Sequence, residues 1–253
     1  MFSPVIFYEA DDLDAAYERL TAATDDQLST KDEYIYVPEL SHIAAAYASG
    51  EKIRYAKVTS PSLLRKAPYY IRPYLGANNL SFPPPVDWRL ENPLPLVKTE
   101  GMYASVRSAT GNATEYDYVV ALIMSDGPIV PYYGPDFPMR FTTTGTPTAA
   151  AWTVLTIDLD DSLPAGRYGL VGCDLMSGSG HAFRFVPIGG GWRPGGFSHW
   201  RESTCLPQQR HGHMGLWFEF EHNNMPKLEV FQTGADEPGE GVLDLIQLRE
   251  GPA

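Results

Sequence analysis

The sequence has few of the features that would fix a fold covalently or place it in a membrane. Its two cysteines, Cys173 and Cys205, are far apart and have no metal-like spacing. This excludes a disulfide scaffold and leaves one optional bridge. No run of about 18 apolar residues occurs, so no transmembrane segment is predicted. The N-terminus lacks a basic region and turns acidic after eight residues, which is not the pattern of a signal peptide.

Basic residues are also scarce. Lys and Arg number 19 against 31 Asp and Glu, and the net charge of −12 argues against a generic nucleic-acid binder. The distribution is uneven, because residues 1–51 hold eleven acids while residues 52–72 hold six basic residues and no acid. We call those six residues the basic strip: Lys52, Arg54, Lys57, Arg65, Lys66 and Arg72. The first interpretation is a solvated face paired with the acidic N-terminus, and the second is a weak contact with nucleic acid or an acidic neighbouring subunit.

No complete catalytic signature is present. The segment Gly178-Ser179-Gly180-His181 does not match a nucleophile elbow, which needs Gly-x-Ser-x-Gly between a strand and a helix. The glycines near residues 189–196 are followed by aromatic residues rather than by a helix, so they form no phosphate-binding loop. The sequence therefore predicts neither an enzyme nor a cofactor.

Two incomplete constellations remain. His211 and His213 are two residues apart, and on a strand both imidazoles could bind one metal with Glu219. Five residues separate His213 from Glu219, more than in the cupin motif that this pattern resembles, so no metal site is predicted. Glu219 and Glu221 would share a strand face, as the paired carboxylates of a glycoside hydrolase can, although an exposed polar face explains them equally well.

In the N-terminal third, the residue pattern predicts helices. Residues 9–28 have an acidic first turn and apolar residues at helical spacing. A second helix is predicted over residues 38–49, with Pro38 in its first turn and Gly50 as its stop. A short strand is expected over Tyr34–Val37, and the proline-rich residues 73–95 are expected to be an extended arm or linker.

From residue 94 onward, apolar and aromatic runs alternate with turn clusters, which is typical of a β-sandwich. Ten strands are predicted, over Leu94–Lys98, Met102–Ser108, Tyr116–Met124, Met139–Thr144, Ala151–Leu159, Arg167–Leu175, Ala182–Pro187, Gly215–Glu221, Lys227–Gln232 and Val242–Arg249. The expected organisation is thus a helical and extended, proline-rich arm over residues 1–92 and an antiparallel β-sandwich over residues 93–253.

Alternation along two of these strands predicts which side chains reach the core. Leu216, Phe218 and Phe220 should share the buried face of one strand, and Leu155, Ile157 and Leu159 that of another. The 31 aromatic residues are expected mainly to fill the core and to anchor subunit contacts.

This layout is similar to that of the jelly-roll coat (major capsid) proteins of small icosahedral tailless phages. The segments that carry the resemblance are Ser60–Arg65, Pro93–Leu96 and the hairpin Leu163–Gly172. The resemblance implies a mainly β fold with a single or double jelly roll, no catalysis and no cofactor. It also implies assembly into a trimer or larger homo-oligomer with other virion proteins, and a location in the virion after synthesis in a host cytoplasm.

Two alternatives come from other functional classes. A carbohydrate-binding β-sandwich, with or without hydrolase activity, would use Glu219, Glu221 and nearby aromatic residues. A cupin-like metalloprotein would use His211 and His213. Oligomer size discriminates between these hypotheses, because a coat protein should be a trimer or larger and the alternatives a monomer or dimer.

Overall fold

The structure, a computed structural model, describes most of the chain. The described residues are 1–12, 14–25, 29–31, 33–36, 39–50, 52–64, 67–71, 86–108, 111, 116–188, 191–200, 214–234 and 239–250. The chain divides into two compact units. The N-terminal unit is Val5–Pro128, and the C-terminal unit is Ile129–Ala253 together with Met1–Pro4.

The N-terminal unit is built from two six-stranded sheets. Its elements are β1 (Phe2–Asp11), β2 (Glu18–Arg19), β3 (Thr21–Ala22), β4 (Ser29–Lys31), β5 (Tyr34–Tyr36), β6 (His42–Ser49), β7 (Ile53–Thr59), α1 (Pro61–Leu64), β8 (Tyr69–Ile71), β9 (Asp87–Trp88), β10 (Leu94–Pro95), β11 (Gly101–Ser108) and β12 (Tyr116–Ser125). One sheet has the order β10-β6-β12-β1-β3, with β9 also pairing with β6. The other has the order β4-β5-β11-β7-β8, with β2 also pairing with β11.

The C-terminal unit contains one nine-stranded sheet of order β17-β16-β20-β14-β13-β21-β15-β18, with β19 also pairing with β15. Its strands are β13 (Phe137–Thr144), β14 (Ala151–Leu159), β15 (Gly166–Ser177), β16 (Gly180–Val186), β17 (Gly195–Phe197), β18 (His199–Trp200), β19 (Phe218–Glu221), β20 (Lys227–Gln232) and β21 (Glu240–Glu250). Strands β16 and β19 are distant in this order, yet the rings of Phe185 and Phe218 lie 5.3 Å apart. The sheet therefore folds over on itself and encloses an aromatic core.

Both units share one nested order of strand pairing. In the C-terminal unit, β13 pairs with β21, β14 with β20, β15 with β19 and β16 with β17. In the N-terminal unit, β1 neighbours β12, β2 and β5 pair with β11, β6 pairs with β9 and β10, and β7 pairs with β8. In each unit, the first strand thus pairs with the last strand. Strands that follow the first pair with strands that precede the last, and the pairing continues inward in this way.

The prediction of a mainly β chain with antiparallel sheets is confirmed, and the sheets are consistent with a β-sandwich. Strands lie at all ten predicted positions, and Ala151–Leu159 and Lys227–Gln232 have the predicted bounds. The short strand predicted from Tyr34 is also present. Among the pairings with a described register, only β15 with β18 is parallel.

The predicted helix over residues 9–28 is wrong, because the described residues there form β1, β2 and β3. Leu20 and Ala22 are buried at strand spacing. The backbone here also forms hydrogen bonds with sheet strands. The Leu20 N–H donates to the Ala104 carbonyl at 3.1 Å, and the Ala23 N–H donates to the Ile6 carbonyl at 2.9 Å. Pairing with distant strands has overridden the local helical pattern.

The predicted helix over residues 38–49 is wrong as well, since His42–Ser49 is the strand β6. Every residue of this strand after His42 is buried, and it lies between β12 and the short strands β9 and β10. A strand buried on both faces has a continuous apolar sequence, and here alanines supply it. Their helix propensity is a weak preference that tertiary burial has reversed.

The N-terminal arm is also corrected. Phe2–Phe7 of β1 is buried, so the first residues belong to the core rather than to a projecting arm. In the segment over residues 73–95, residues 73–85 lie outside the described residues, while Asp87–Trp88 and Leu94–Pro95 pair with β6. Both stretches are short edge strands, where a proline is tolerated. The observed unit boundary falls at Pro128 and Ile129, not at residues 92 and 93.

Candidate binding surface

One face of the β5-β11-β7-β8 sheet is lined by tyrosines and basic side chains. Along β7, Ala56 and Val58 are buried, while Tyr55 and Lys57 alternate with them on the opposite face. Residues that pair directly across strands share a face. Tyr55 lies opposite Arg107 of β11, and Lys57 lies between Ser105 of β11 and Tyr70 of β8. The alternation thus brings residues from three strands onto one surface.

We call this surface the tyrosine–cation face. It consists of Tyr17, Arg19, Tyr34, Tyr55, Lys57, Tyr70, Tyr103 and Arg107. Arg19 of β2 pairs with Ser105 from the side opposite to Lys57, so it belongs to the same face. The tyrosine rings give apolar area to a sheet surface that is otherwise polar, and cations lie on those rings.

At one end of this face, basic side chains lie on tyrosine rings. The Lys57 Nζ is 3.8 Å from the centre of the Tyr17 ring. The Arg107 guanidinium is 5.0 Å from the Tyr17 ring and 4.5 Å from the Tyr55 ring. These are cation–π distances. We call Tyr17, Tyr55, Lys57, Tyr70 and Arg107 the positive end.

At the other end, the charge is neutralised. The Arg19 guanidinium lies 4.1 Å over the Tyr103 ring, and its Nη1 donates to the Glu33 carboxylate at 2.7 Å and to the Tyr34 hydroxyl at 3.2 Å. The hydrogen bond to Glu33 raises the pKa of Arg19. In contrast, neither Lys57 nor Arg107 forms an ion pair with any carboxylate in the described part of the chain.

The titration of Tyr17 reflects its neighbours. Burial raises the pKa of the Tyr17 hydroxyl, Tyr70 and Tyr55 raise it further, and Arg107 lowers it. This tyrosine therefore stays neutral at physiological pH.

The structure gathers only part of the predicted basic strip. Lys57 belongs to the positive end, and the Arg54 guanidinium lies 5.7 Å from the Tyr55 ring. Lys52 lies in the turn before β7. Arg65, Lys66 and Arg72 lie outside the described residues. The function of the strip stays a prediction.

Sequence reasoning missed four residues of the positive end: Tyr17, Tyr55, Tyr70 and Arg107. A signal was present, because Tyr103-Ala104-Ser105-Val106-Arg107 and Tyr55-Ala56-Lys57 both alternate polar with apolar residues. What the sequence could not supply was the register that places Arg107 opposite Tyr55.

The acid pair of β19 lies beside a cavity of about 180 Å³ whose lining includes Arg167, Ile188, Phe218, Glu219 and Glu221. The Glu219 carboxylate is 2.5 Å from the Arg167 guanidinium, and the Glu221 carboxylate is 3.7 Å from the Arg249 guanidinium. Each acid thus has an arginine partner.

The face predicted for the strand around Glu219 is confirmed for Phe220 and wrong for Leu216. The strand begins at Phe218, and Trp217 is buried where Leu216 was expected, while Leu216 is 47% exposed. Leu216 and Trp217 precede the strand, so the alternation that holds from Phe218 to Glu221 does not extend to them. The Trp217 ring stacks on Phe183 at 6.1 Å.

The metal and cysteine predictions rest partly on residues outside the description. His211, His213 and Cys205 all lie there. Among the described residues, no group of three or more His, Cys, Asp or Glu side chains could hold a metal ion. Cys173 is a buried free thiol, and burial raises its pKa. No helix in the described ranges has both the length and the apolarity to cross a membrane.

No protein-family model and no curated protein matches the chain. Among solved structures, the chain is similar to the major capsid protein P2 from Bacteriophage PM2, with 11% identity over 98% of this chain and 97% of that one. The TM-score is 0.25, too low for the two to be treated as sharing a fold.

Proposed function

We propose that the chain is a structural coat protein with two jelly rolls, which self-assembles into the icosahedral shell of a virion. The nested strand pairing carries this proposal. A jelly roll has eight strands in two facing sheets, with the first paired to the last and the others paired inward. The pairing of β13 to β21 follows that order, and the pairing of β1 to β12 repeats it.

Such a protein acts by its shape rather than by chemistry. Two antiparallel sheets packed on a shared core make a rigid block, and the loops and edges around it are free to contact neighbours. Exposed apolar side chains before β13 support a role in contacts between subunits: Val130 is 77% exposed and Tyr133 is 79% exposed. Large exposed apolar side chains often mark contacts between subunits.

The expected partners are further copies, in a trimer or larger, and other virion proteins. The expected location is the virion, after synthesis in a host cytoplasm. The carbohydrate-binding or hydrolase alternative has less support, because the two acids that it needs, Glu219 and Glu221, each have an arginine partner. The cupin-like alternative rests on His211 and His213, which lie outside the described residues, so it remains a prediction.

Assembly state tests the proposal. Purified full-length protein should elute as a defined trimer or larger oligomer when size exclusion is coupled to light scattering, and negative-stain imaging should show regular particles. Replacing Tyr133 by Asp should reduce assembly without lowering the melting temperature, because the side chain is exposed in the single chain. Lys227→Asp, on another exposed position, is the control. A strict monomer at high concentration, indifferent to salt and pH, would contradict the proposal.

A further inference from the structure

The positive end of the tyrosine–cation face combines fixed cations with an open aromatic ring. Lys57 and Arg107 lie on the rings of Tyr17 and Tyr55. A ring orders a cation without cancelling its charge, whereas a carboxylate such as Glu33 neutralises the arginine that it binds. The positive charge of Lys57 and Arg107 therefore remains available to an anion.

Arg107 has a further unused donor. Its Nε lies within the face and has no hydrogen-bond acceptor among the described residues. A buried donor without an acceptor is unfavourable, so an incoming anion that shifts this side chain has a favourable bond to gain. Arginine presents several N–H groups in a planar fork that suits phosphate oxygens.

Tyr70 supplies the aromatic surface. It lies directly opposite Lys57 in the sheet, it is 56% exposed, and no cation or ring lies on it within the described part of the chain. An exposed ring of this size on a sheet, beside cations, is the arrangement with which single-stranded nucleic acid is bound: bases stack on the ring and phosphates contact the cations.

We propose that the positive end binds single-stranded nucleic acid, with a base on Tyr70 and phosphates at Lys57 and Arg107. An acidic protein would use the same cations, but it would leave the open ring of Tyr70 without a role. The net charge of −12 opposes long-range attraction, so local contacts have to provide the affinity. This binding does not depend on assembly, and it would remain if the chain proved monomeric.

The probe is a fluorescein-labelled oligothymidylate of about 20 nucleotides, titrated with full-length protein by fluorescence anisotropy. Affinity should fall with salt, with a log–log slope of about −0.7 for each phosphate contact. Lys57→Gln with Arg107→Gln should make the slope less steep by about 1.4. Tyr70→Leu should weaken binding roughly 5- to 150-fold while leaving the slope unchanged.

Controls separate this site from general charge effects. Arg140→Gln with Lys227→Gln removes the same charge from exposed positions of the other unit, and Tyr133→Leu removes an exposed ring there. Neither should change binding. Lys57→Arg with Arg107→Lys keeps both charges and should retain the wild-type slope. A retained slope would show that the change in the neutral variants comes from the lost charge and not from substitution at these two positions.

Three results would overturn the proposal. One is no binding of the oligothymidylate at low salt. A second is that polyglutamate competes with the oligothymidylate as well as unlabelled oligothymidylate does, while Tyr70→Leu leaves the affinity unchanged. That result would identify an acidic protein as the partner. The third is that a DNA duplex binds with the same affinity as the oligothymidylate, while Tyr70→Leu again leaves the affinity unchanged. That result would mean that charge alone is recognised.

Discussion

Arg184 and Glu229 face each other across β16 and β20 and form an ion pair inside the C-terminal unit. The Arg184 Nε lies 2.5 Å from the Glu229 carboxylate, and the two side chains are 1% and 9% exposed. Arg193 donates to both oxygens of the same carboxylate, at 3.0 and 2.9 Å. The Arg184 guanidinium also lies 4.2 Å over the Trp152 ring. One carboxylate thus holds two cations in a place from which water is largely excluded.

Removing the carboxylate should destabilise the fold. In Glu229→Gln, Arg184 and Arg193 keep their charges but lose the anion between them, and a broken buried ion pair typically costs about 3–5 kcal/mol. Urea denaturation should show this loss in the free energy of unfolding. Glu240→Gln is the matched control, because Glu240 pairs with Arg140, which is 61% exposed, and should lose less than about 1 kcal/mol. Equal losses in both variants would contradict the prediction.

Gly195 should not tolerate a side chain. A Cβ there would lie 2.0 Å from the Phe183 carbonyl oxygen and 2.6 Å from the Arg184 Cα, so the backbone of β16 or β17 would have to move. Overpacking of this kind costs on the order of 1–3 kcal/mol or more. Thermal denaturation of Gly195→Ala should show a lower melting temperature. Gly127→Ala, whose Cβ would meet nothing within 4 Å, should leave it unchanged or slightly higher.

His181 should make the protein less stable in acid. Burial lowers the pKa of this imidazole to about 3 from the 6.5 of an unperturbed histidine. Below pH 6.5 the unfolded chain binds a proton that the folded chain rejects, so stability present above that pH is lost progressively toward pH 3. The slope is about 1.4 kcal/mol per pH unit, and by pH 5 the loss should reach about 2 kcal/mol.

Urea denaturation at pH 7 and pH 5 measures this effect. His181→Leu should abolish most of the difference between the two pH values, because the titrating group is gone. His222→Gln, at an exposed position, should keep the difference. An unchanged pH dependence in His181→Leu would show that another group is responsible.

Phe2 should contribute to the stability of the C-terminal unit, although it stands at the other end of the sequence. Its ring packs edge-on against Trp217 with centroids 5.4 Å apart, and it is 6% exposed. Phe2→Ala should lower the free energy of unfolding by about 3–5 kcal/mol, the usual loss for a buried aromatic side chain. Val130→Ala, at a position 77% exposed, should have little effect. A wild-type denaturation curve for Phe2→Ala would mean that the N-terminus is an arm after all.

Among the strands described in the C-terminal unit, the sequence by itself predicted all but β17 and β18. In Ala151–Leu159 and Lys227–Gln232, the local alternation and the flanking turn residues mark both ends of the strand. These signals lie within a few residues of one another, so no knowledge of distant partners is needed. The absence of a complete catalytic motif could also be read directly.

Only the tertiary structure decided the rest. His42–Ser49 has a helix-forming sequence, and burial between distant strands makes it a strand. Leu216 is exposed and Trp217 is buried, the reverse of the expectation, because both residues precede the strand and its alternation does not extend to them. The positive end exists because β7 and β11 pair with Tyr55 opposite Arg107, residues 52 positions apart in the sequence. Strand register depends on many weak contacts between segments that are distant in sequence, and no local pattern encodes it.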